Sequence, residues 1–354
     1  MKVKTNLFSV LIPVAAVFIA FGIGCIIIAA LGKSPIESIQ FLFMGAFGSD
    51  SNVATTLVKA TPLIFTGLCA CFAYRCGVFN LGGEGQFIIG ACVAIWISVT
   101  WGITGIPGIL ICLLLGAVAG GFWGMLPGLL KITRGLNEII VSIMLNYVAS
   151  LFMGLMYTSL LREGSVPQTP AVPDETQLSR IFPDVRITWG IVIALGAAVV
   201  IHYILFNTSN GFRLRAVGLN STAARFNGFS VNRYILISFI VSGAIAGLGG
   251  SVELLGTQYR LMSGFGMGFG FDGVAIALIA QLNPLATVFV AYFFAVLRTG
   301  ATTMQVGSGV PTSVIDIIQA LVIVFAVAGF AIVHLPQIRQ FLKTRTARRK
   351  KEAV

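Results

Sequence analysis

Apolar runs too long for a water-soluble helix recur along this chain, and they limit its possible folds more than any other feature does. The first, Leu7 to Leu31, lies behind Lys2 and Lys4 and holds no charged residue. At 1.5 Å rise per residue a run of about 25 residues crosses a hydrocarbon layer of about 30 Å with some tilt. It is longer than the apolar part of a signal peptide. Although Gly24-Cys25 is faintly similar to a lipoprotein cleavage site, the runs that follow favour an uncleaved first helix. Further spans are expected at 53–74, 78–100, 106–130, 136–161, 187–206, 234–252, 272–282, 285–297 and 312–333, the eighth and ninth being too short for plain helices. Composition agrees: 57% of 354 residues are hydrophobic and 10% charged, with mean hydropathy +0.95. At about 20 residues per span that is material for about ten spans, and the expected fold is an all-α polytopic membrane protein. The polar surface is too sparse to coat a soluble enzyme, a DNA-binding fold or a secreted disulfide scaffold.

The net charge of +11 follows from topology. With ten crossings, the loops on one side hold Lys131 and Arg134, then Arg213, Arg215, Arg225 and Arg233, and the tail on the same side holds Arg339, Lys343, Arg345, Arg348, Arg349, Lys350 and Lys351. Positive-inside bias places these loops and both termini in the cytoplasm. The opposite side collects Glu37, Asp50, Glu163, Asp174, Glu175, Asp184 and Glu253. The tail lacks interleaved aromatics, so membrane lipid is its expected partner and nucleic acid is not. Cys25, Cys69, Cys71, Cys76, Cys92 and Cys112 fall in or beside spans, where cysteine acts as a small packing residue. His202 and His334 have no acid or cysteine cluster near them in sequence, and no metal site is expected.

Nucleotide hydrolysis has no visible motif. The one phosphate-loop candidate, Gly32-Lys33-Ser34, has Ile27 where the first glycine belongs, and it falls on the outer side. Transport is the leading class.

Two Gly-rich interruptions support it. Phe79-Asn80-Leu81-Gly82-Gly83-Glu84-Gly85-Gln86 and Gly264-Phe265-Gly266-Met267-Gly268-Phe269-Gly270-Phe271-Asp272-Gly273 each place glycines and an acid between apolar segments. Non-helical backbone at membrane depth is tolerated only where protein or water satisfies it, so such breaks line cavities. The topology suggests an inverted repeat: half one at 53–161, an outer loop at 162–188, a cytoplasmic loop at 207–233, half two at 234–333 and a tail at 334–354. Glu84, Glu138, Asp272 and Asp316 lie within or at the edge of spans, where an unpaired carboxylate costs several kcal/mol. Glu84 and Asp272 are either pathway residues or acceptors for backbone N–H groups where each helix restarts. Lys59 is a candidate partner for one of these acids. Asn137, Glu138, Asn146 and Tyr147 on the fifth span suit a neutral, hydroxylated or heterocyclic solute, and equally suit hydrogen bonds between helices.

In the basic loop, Asn220 or Ser221 caps a short helix that Gly228 ends. Gly211, Arg213, Arg215, Ala216, Gly218, Asn220, Ala223, Ala224, Arg225 and Gly228 stand in a pattern, Gly-x-x-x-Arg-Ala-Val-Gly-x-Asn then Ala-Ala and Gly, that closely resembles the coupling loop of permease subunits of ABC importers of the ribose and nucleoside branch. The Phe79–Gln86 run, Asn137-Glu138-Ile139-Ile140 with Met144-Leu145-Asn146-Tyr147, and Phe271-Asp272-Gly273 through Asn283-Pro284 are similar to further blocks of that family. Gln281 stands where the family often has Arg. The resemblance implies a ten-helix permease paired with a second, related permease, two cytoplasmic ATPase domains that use ATP and Mg, and an extracellular solute-binding lipoprotein, in a bacterial cytoplasmic membrane. The chain itself would bind no cofactor. The Asn-Glu…Met-Leu-Asn-Tyr block points to nucleosides over simple sugars such as ribose. The resemblance further implies that Arg213, Arg215 and Arg225 face the ATPase, with Gly211, Gly218 and Gly228 allowing close approach, and that Phe79, Asn80, Glu84, Asn146 and Phe271 line a permissive path. An ion-coupled secondary carrier would share the broken helices but use Glu84 or Asp272 as an ion site. A membrane enzyme acting on a lipid-linked substrate would need an acid–base pair that the sequence does not display.

Overall fold

The computed structural model describes residues 7–182 and 185–334; Lys2, Lys4, Asp184 and the basic residues from Arg339 onward lie outside the described residues. The described residues form α1 (Leu7–Ala30), α2 (Pro35–Phe47), α3 (Asp50–Arg75), α4 (Gly83–Thr100), α5 (Gly105–Arg134), α6 (Glu138–Leu155), α7 (Gly190–Asn207), α8 (Ser209–Leu219), α9 (Ser221–Phe226), α10 (Val231–Glu253), α11 (Phe269–Ile279), α12 (Pro284–Ser308) and α13 (Ser313–His334). An all-α membrane protein is therefore the right class. Among the described residues seven helices are long and apolar enough to cross a membrane, or eight if the bent pair Val17–Ala30 and Pro35–Phe47 is one span. The ten expected spans correspond to those seven, to α1, to the short α11 and to α13.

Four departures have physical causes. Pro35–Phe47 is helical and turns 119° from the helix before it, at a break that contains Gly32 at φ 73°. The fourth helical segment starts at Gly83 and not at residue 78, because Cys76 to Gly82 leave helical geometry. The span expected at 285–297 continues to Ser308, past Arg298, whose charge is neutralised in place by Asp272. Glu253, expected in an outer loop, closes α10 and is 4% exposed, with Gln258 of the following π-helical turn donating to it. The 162–188 segment also carries a short antiparallel hairpin, β1 (Arg180–Phe182) with β2 (Val185–Thr188).

Contacts divide the chain into two units. One holds the described residues through Gly45 and from Gly300 onward. In it α1 packs along α13, and Gly24 leaves the space that the Ile318 side chain fills.

The other unit, Ala46–Thr299, is organised by close approach of α4, α5 and α10. Gly116, Gly120 and Gly124 of α5 recur every fourth residue, as do Gly243, Gly247 and Ser251 of α10. A Cβ at Gly120 would stand 2.4 Å from the Gly243 carbonyl oxygen, and one at Gly90 of α4 would stand 2.3 Å from that of Gly247. In lipid no hydrophobic effect drives helices together, so small residues that permit backbone contact, and hydrogen bonds between helices, supply the cohesion. Ser251 adds one, donating to the Gly90 carbonyl at 3.3 Å. Phe65, Phe87 and Phe239 are fully buried in the surrounding interior.

Candidate functional site

The first interruption is a closed hydrogen-bonded structure. Gly77 takes φ 76°, a region open to glycine at little cost. Asn80 is 1% exposed. Its carbonyl oxygen accepts from the Gly82 N–H at 3.0 Å, its amide pairs in both directions with that of Gln86 at 3.0 and 3.1 Å, and its nitrogen also donates to Ser242 of α10 at 2.9 Å. From α6, Asn146 accepts from the Gly85 N–H and donates to the Leu81 carbonyl, both at 2.9 Å. Backbone groups released by the break are thus met by two asparagines. Asn80 and Asn146 hold the break in shape. A Cβ at Gly85 would sit 2.8 Å from the Asn146 oxygen, which is why this position tolerates no side chain.

The second interruption uses glycines in left-handed geometry: Gly264, Gly266 and Gly268 at φ 87°, 70° and 80°. The two meet. Glu84, in the first turn of α4, accepts from the Gly268 N–H at 3.0 Å, and a Cβ at Gly270 would stand 2.5 Å from the Glu84 nitrogen. Glu84 thus receives backbone N–H from the other interruption. Asp272 pairs with Arg298 of α12, whose guanidinium lies 5.2 Å from the Phe269 ring centre. Lys59 donates at 3.5 Å to the backbone carbonyl of Arg298. Phe79 and Phe271 are each 50% exposed, Phe79 with its ring packed against Tyr74 at 4.9 Å.

Asn137 and Glu138 stand at the α5–α6 turn, where the Phe79 backbone N–H also reaches the Glu138 carboxylate. Asn137 caps α6 by accepting from the Ile139 N–H at 2.9 Å, and Glu138 pairs with Lys131. Tyr147 faces outward, 69% exposed. Asp316, in the first turn of α13, belongs to the other unit.

The basic loop contains two helices. Thr208 caps α8 by accepting from the Gly211 N–H at 3.1 Å; Asn220 caps α9 by accepting from the Ala223 N–H at 2.9 Å; Gly228, at φ 79°, follows its end. Of the candidate residues here, Arg213, Asn220, Ala223 and Arg225 are exposed, beside Leu219 and Phe226 at 88% each, whereas Ala224 is buried and Ala216 partly so. Two expectations change. Gly211 and Gly218 do not clear space for a partner: a Cβ on the first would stand 2.0 Å from the Ile204 carbonyl oxygen, and on the second 2.3 Å from that of Arg75. Arg215 turns inward, its guanidinium 5.0 Å from the Phe206 ring centre. Behind the two helices a cavity of about 640 Å³ is lined by Gly77, Lys131, Asn220 and Arg225 among others.

Residues that sequence reasoning passed over are Gln86, Ser242, Arg75 and Arg298. For Arg298 the signal was present, a single guanidinium inside an apolar stretch; for Ser242, nothing in sequence marks its meeting with Asn80.

Residues 52–327 match the family described as branched-chain amino acid transport system / permease component. Among curated proteins, a guanosine ABC transporter permease protein of Bacillus subtilis is 35% identical over 92% of this chain and 95% of its own. A nucleoside ABC transporter permease protein of Lactococcus lactis is 33% identical over 97% and 98%. A glucose ABC transporter permease protein of the archaeon Haloferax volcanii is 32% identical over 90% and 87%. No solved structure matches.

Proposed function

Since the chain belongs to the branched-chain amino acid transport system / permease component family, we propose that it is the permease subunit of an ATP-driven importer of nucleosides. The observation that carries this reading is the likeness, along nearly the whole chain, to permeases named for guanosine and for nucleosides. Glucose, the solute named for the Haloferax volcanii relative, makes a sugar the second reading.

Solute would pass beside the two interruptions, whose geometry is fixed by Asn80, Asn146 and Glu84 and whose half-exposed rings, Phe79 and Phe271, offer apolar faces to a planar base. The Arg298–Asp272 pair keeps 29% and 20% side-chain exposure. Charges at membrane depth face a bundle interior or water and not lipid, which supports a second permease closing a cavity on this side. The exposed face of α8–α9, with Arg213, Arg225, Leu219 and Phe226, would dock a cytoplasmic ATPase, and an extracellular binding protein would deliver the solute. Both termini then lie in the cytoplasm.

The test is uptake of labelled guanosine, uridine and glucose into proteoliposomes holding the chain with its copurifying subunits, with ATP inside or with an ion gradient alone. ATP-dependent nucleoside uptake supports the reading; glucose uptake alone moves it to sugars; gradient-driven uptake without ATP defeats it.

A further inference from the structure

Arg75, the last residue of α3, makes two sets of contacts that no motif predicts. On one side its Nε donates to the Leu282 carbonyl at 2.8 Å and its Nη2 to the Gln281 carbonyl at 3.2 Å. Those carbonyls belong to the turn between α11 and α12, where Gln281 and Leu282 take φ 54° and 56°. Two consecutive side-chain-bearing residues in the left-handed region are strained, and such a turn persists only where its surroundings hold it. The guanidinium fork, with parallel donors for two neighbouring oxygens, is suited to that task.

On the other side Arg75 meets the segment proposed to dock the ATPase. Gly218 of α8 approaches its backbone so closely that a Cβ there would lie 2.3 Å from the Arg75 carbonyl oxygen and 2.8 Å from the Cys76 carbonyl carbon. Arg215 of α8 and Arg75 also share one aromatic ring, their guanidinium carbons 5.0 and 5.2 Å from the centre of Phe206. Repulsion between two cations is offset by the ring's negative face. A displacement of α8 toward α3 therefore presses on Arg75, because backbone approaches backbone without an intervening flexible side chain.

The strained turn terminates α11, and the opposite end of that helix carries Phe269, Gly270 and Asp272 beside Glu84 and Arg298. At 11 residues the helix is about 16 Å long and moves as a rod.

We propose that Arg75 is the positioning residue through which movement of α8 reaches α11 and the paired interruptions. The proposal rests on the importer reading above. Solute movement is then tied to the ATPase by a guanidinium held between a glycine contact and a strained turn, and losing it separates hydrolysis from transport without undoing the docking face.

The experiment uses the complete complex in proteoliposomes, with ATP hydrolysis and guanosine uptake measured on the same preparation. If the wild-type complex shows no ATP-dependent uptake, the importer reading fails whatever Arg75 does. Given wild-type uptake, Arg75→Gln is expected to hydrolyse ATP within about twofold of wild type while uptake per ATP falls at least about tenfold, with partial recovery in Arg75→Lys, whose ammonium can serve one carbonyl well but not both. Phe206→Leu, which keeps apolar volume but removes the shared ring, is expected to lower uptake per ATP about threefold. Wild-type uptake per ATP in Arg75→Gln overturns the proposal, as does loss of assembly and hydrolysis in step with uptake in all three variants. Should Arg75→Gln fail to fold, Phe206→Leu decides alone: unchanged uptake per ATP overturns the proposal.

Discussion

Glu84 and Gly268 are 184 residues apart in sequence and joined by a 3.0 Å hydrogen bond from the Gly268 N–H to the Glu84 carboxylate. This bond ties the first broken helix to the second. It gives a membrane-depth acid a job that needs neither a proton nor a coupling ion. A carboxylate accepting a backbone N–H is worth roughly 1.5–3 kcal/mol, and an amide oxygen in the same place keeps part of that. Glu84→Gln is therefore expected to retain ATP-dependent uptake within about tenfold of wild type, whereas Glu84→Ala loses about 10- to 100-fold. Gradient-driven uptake without ATP that Glu84→Gln abolishes, measured in proteoliposomes, would instead favour an ion-coupled carrier.

The glycine contacts of α5 and α10 predict a stability effect with no functional residue involved. Gly120→Ala forces a methyl group to within 2.4 Å of a backbone oxygen, and the helices must separate. The expected cost is about 1–3 kcal/mol, read as a lower thermal midpoint of the detergent-solubilised protein. Gly196 of α7 has nothing within 4 Å, and Gly196→Ala should leave the midpoint unchanged or raise it, since alanine is the better helix former by up to about 1 kcal/mol.

Asp272 and Arg298 should couple in a double-mutant cycle. Removing either partner strands the other's charge in a partly covered site, and each single change to leucine is expected to lower stability more than half as much as the double change does. The interaction energy should be about 1–3 kcal/mol, measured by denaturation in mild detergent. Purely additive losses would show that the pair is screened by water.

Docking should divide the loop's arginines by direction. Arg213 and Arg225 are exposed, Arg213 with its guanidinium 5.8 Å from the Phe229 ring centre, whereas Arg215 is half-buried over Phe206, so Arg213→Ala with Arg225→Ala is expected to reduce ATPase retention on a size-exclusion column about tenfold. Arg215→Ala alone should keep the ATPase bound. The opposite pattern would place the docking face on the other side of α8.

Much of this protein is legible in residues that lie close together along the chain. The apolar spans, both interruptions and the cap at Asn220 all follow from such neighbours. Apolar length answers to the thickness of the hydrocarbon layer, charge to insertion, and glycine or asparagine to the local backbone. Family motifs add the likeness to permeases. Polar residues inside apolar segments are where reading fails. For Asn146 a solute and a bond between helices read equally well in sequence, and only the structure shows it, with Asn80, satisfying the first break. The span expected at 285–297 stops short of Arg298, which lies within α12. Gly211 and Gly218 look like room for a partner and are room for the chain itself.

Repeated apolar spans and the places where helices must break are thus written in the amino-acid order alone. Which groups meet across those breaks is settled by folding: Glu84 with Gly268, Asp272 with Arg298, Arg75 with the turn at Gln281 and Leu282. A hydrophobic span is specified by transfer into lipid, a property of each segment alone. A buried polar group in lipid must find its partner wherever the packing of small residues brings another helix within hydrogen-bonding distance, and that is a property of the assembled bundle.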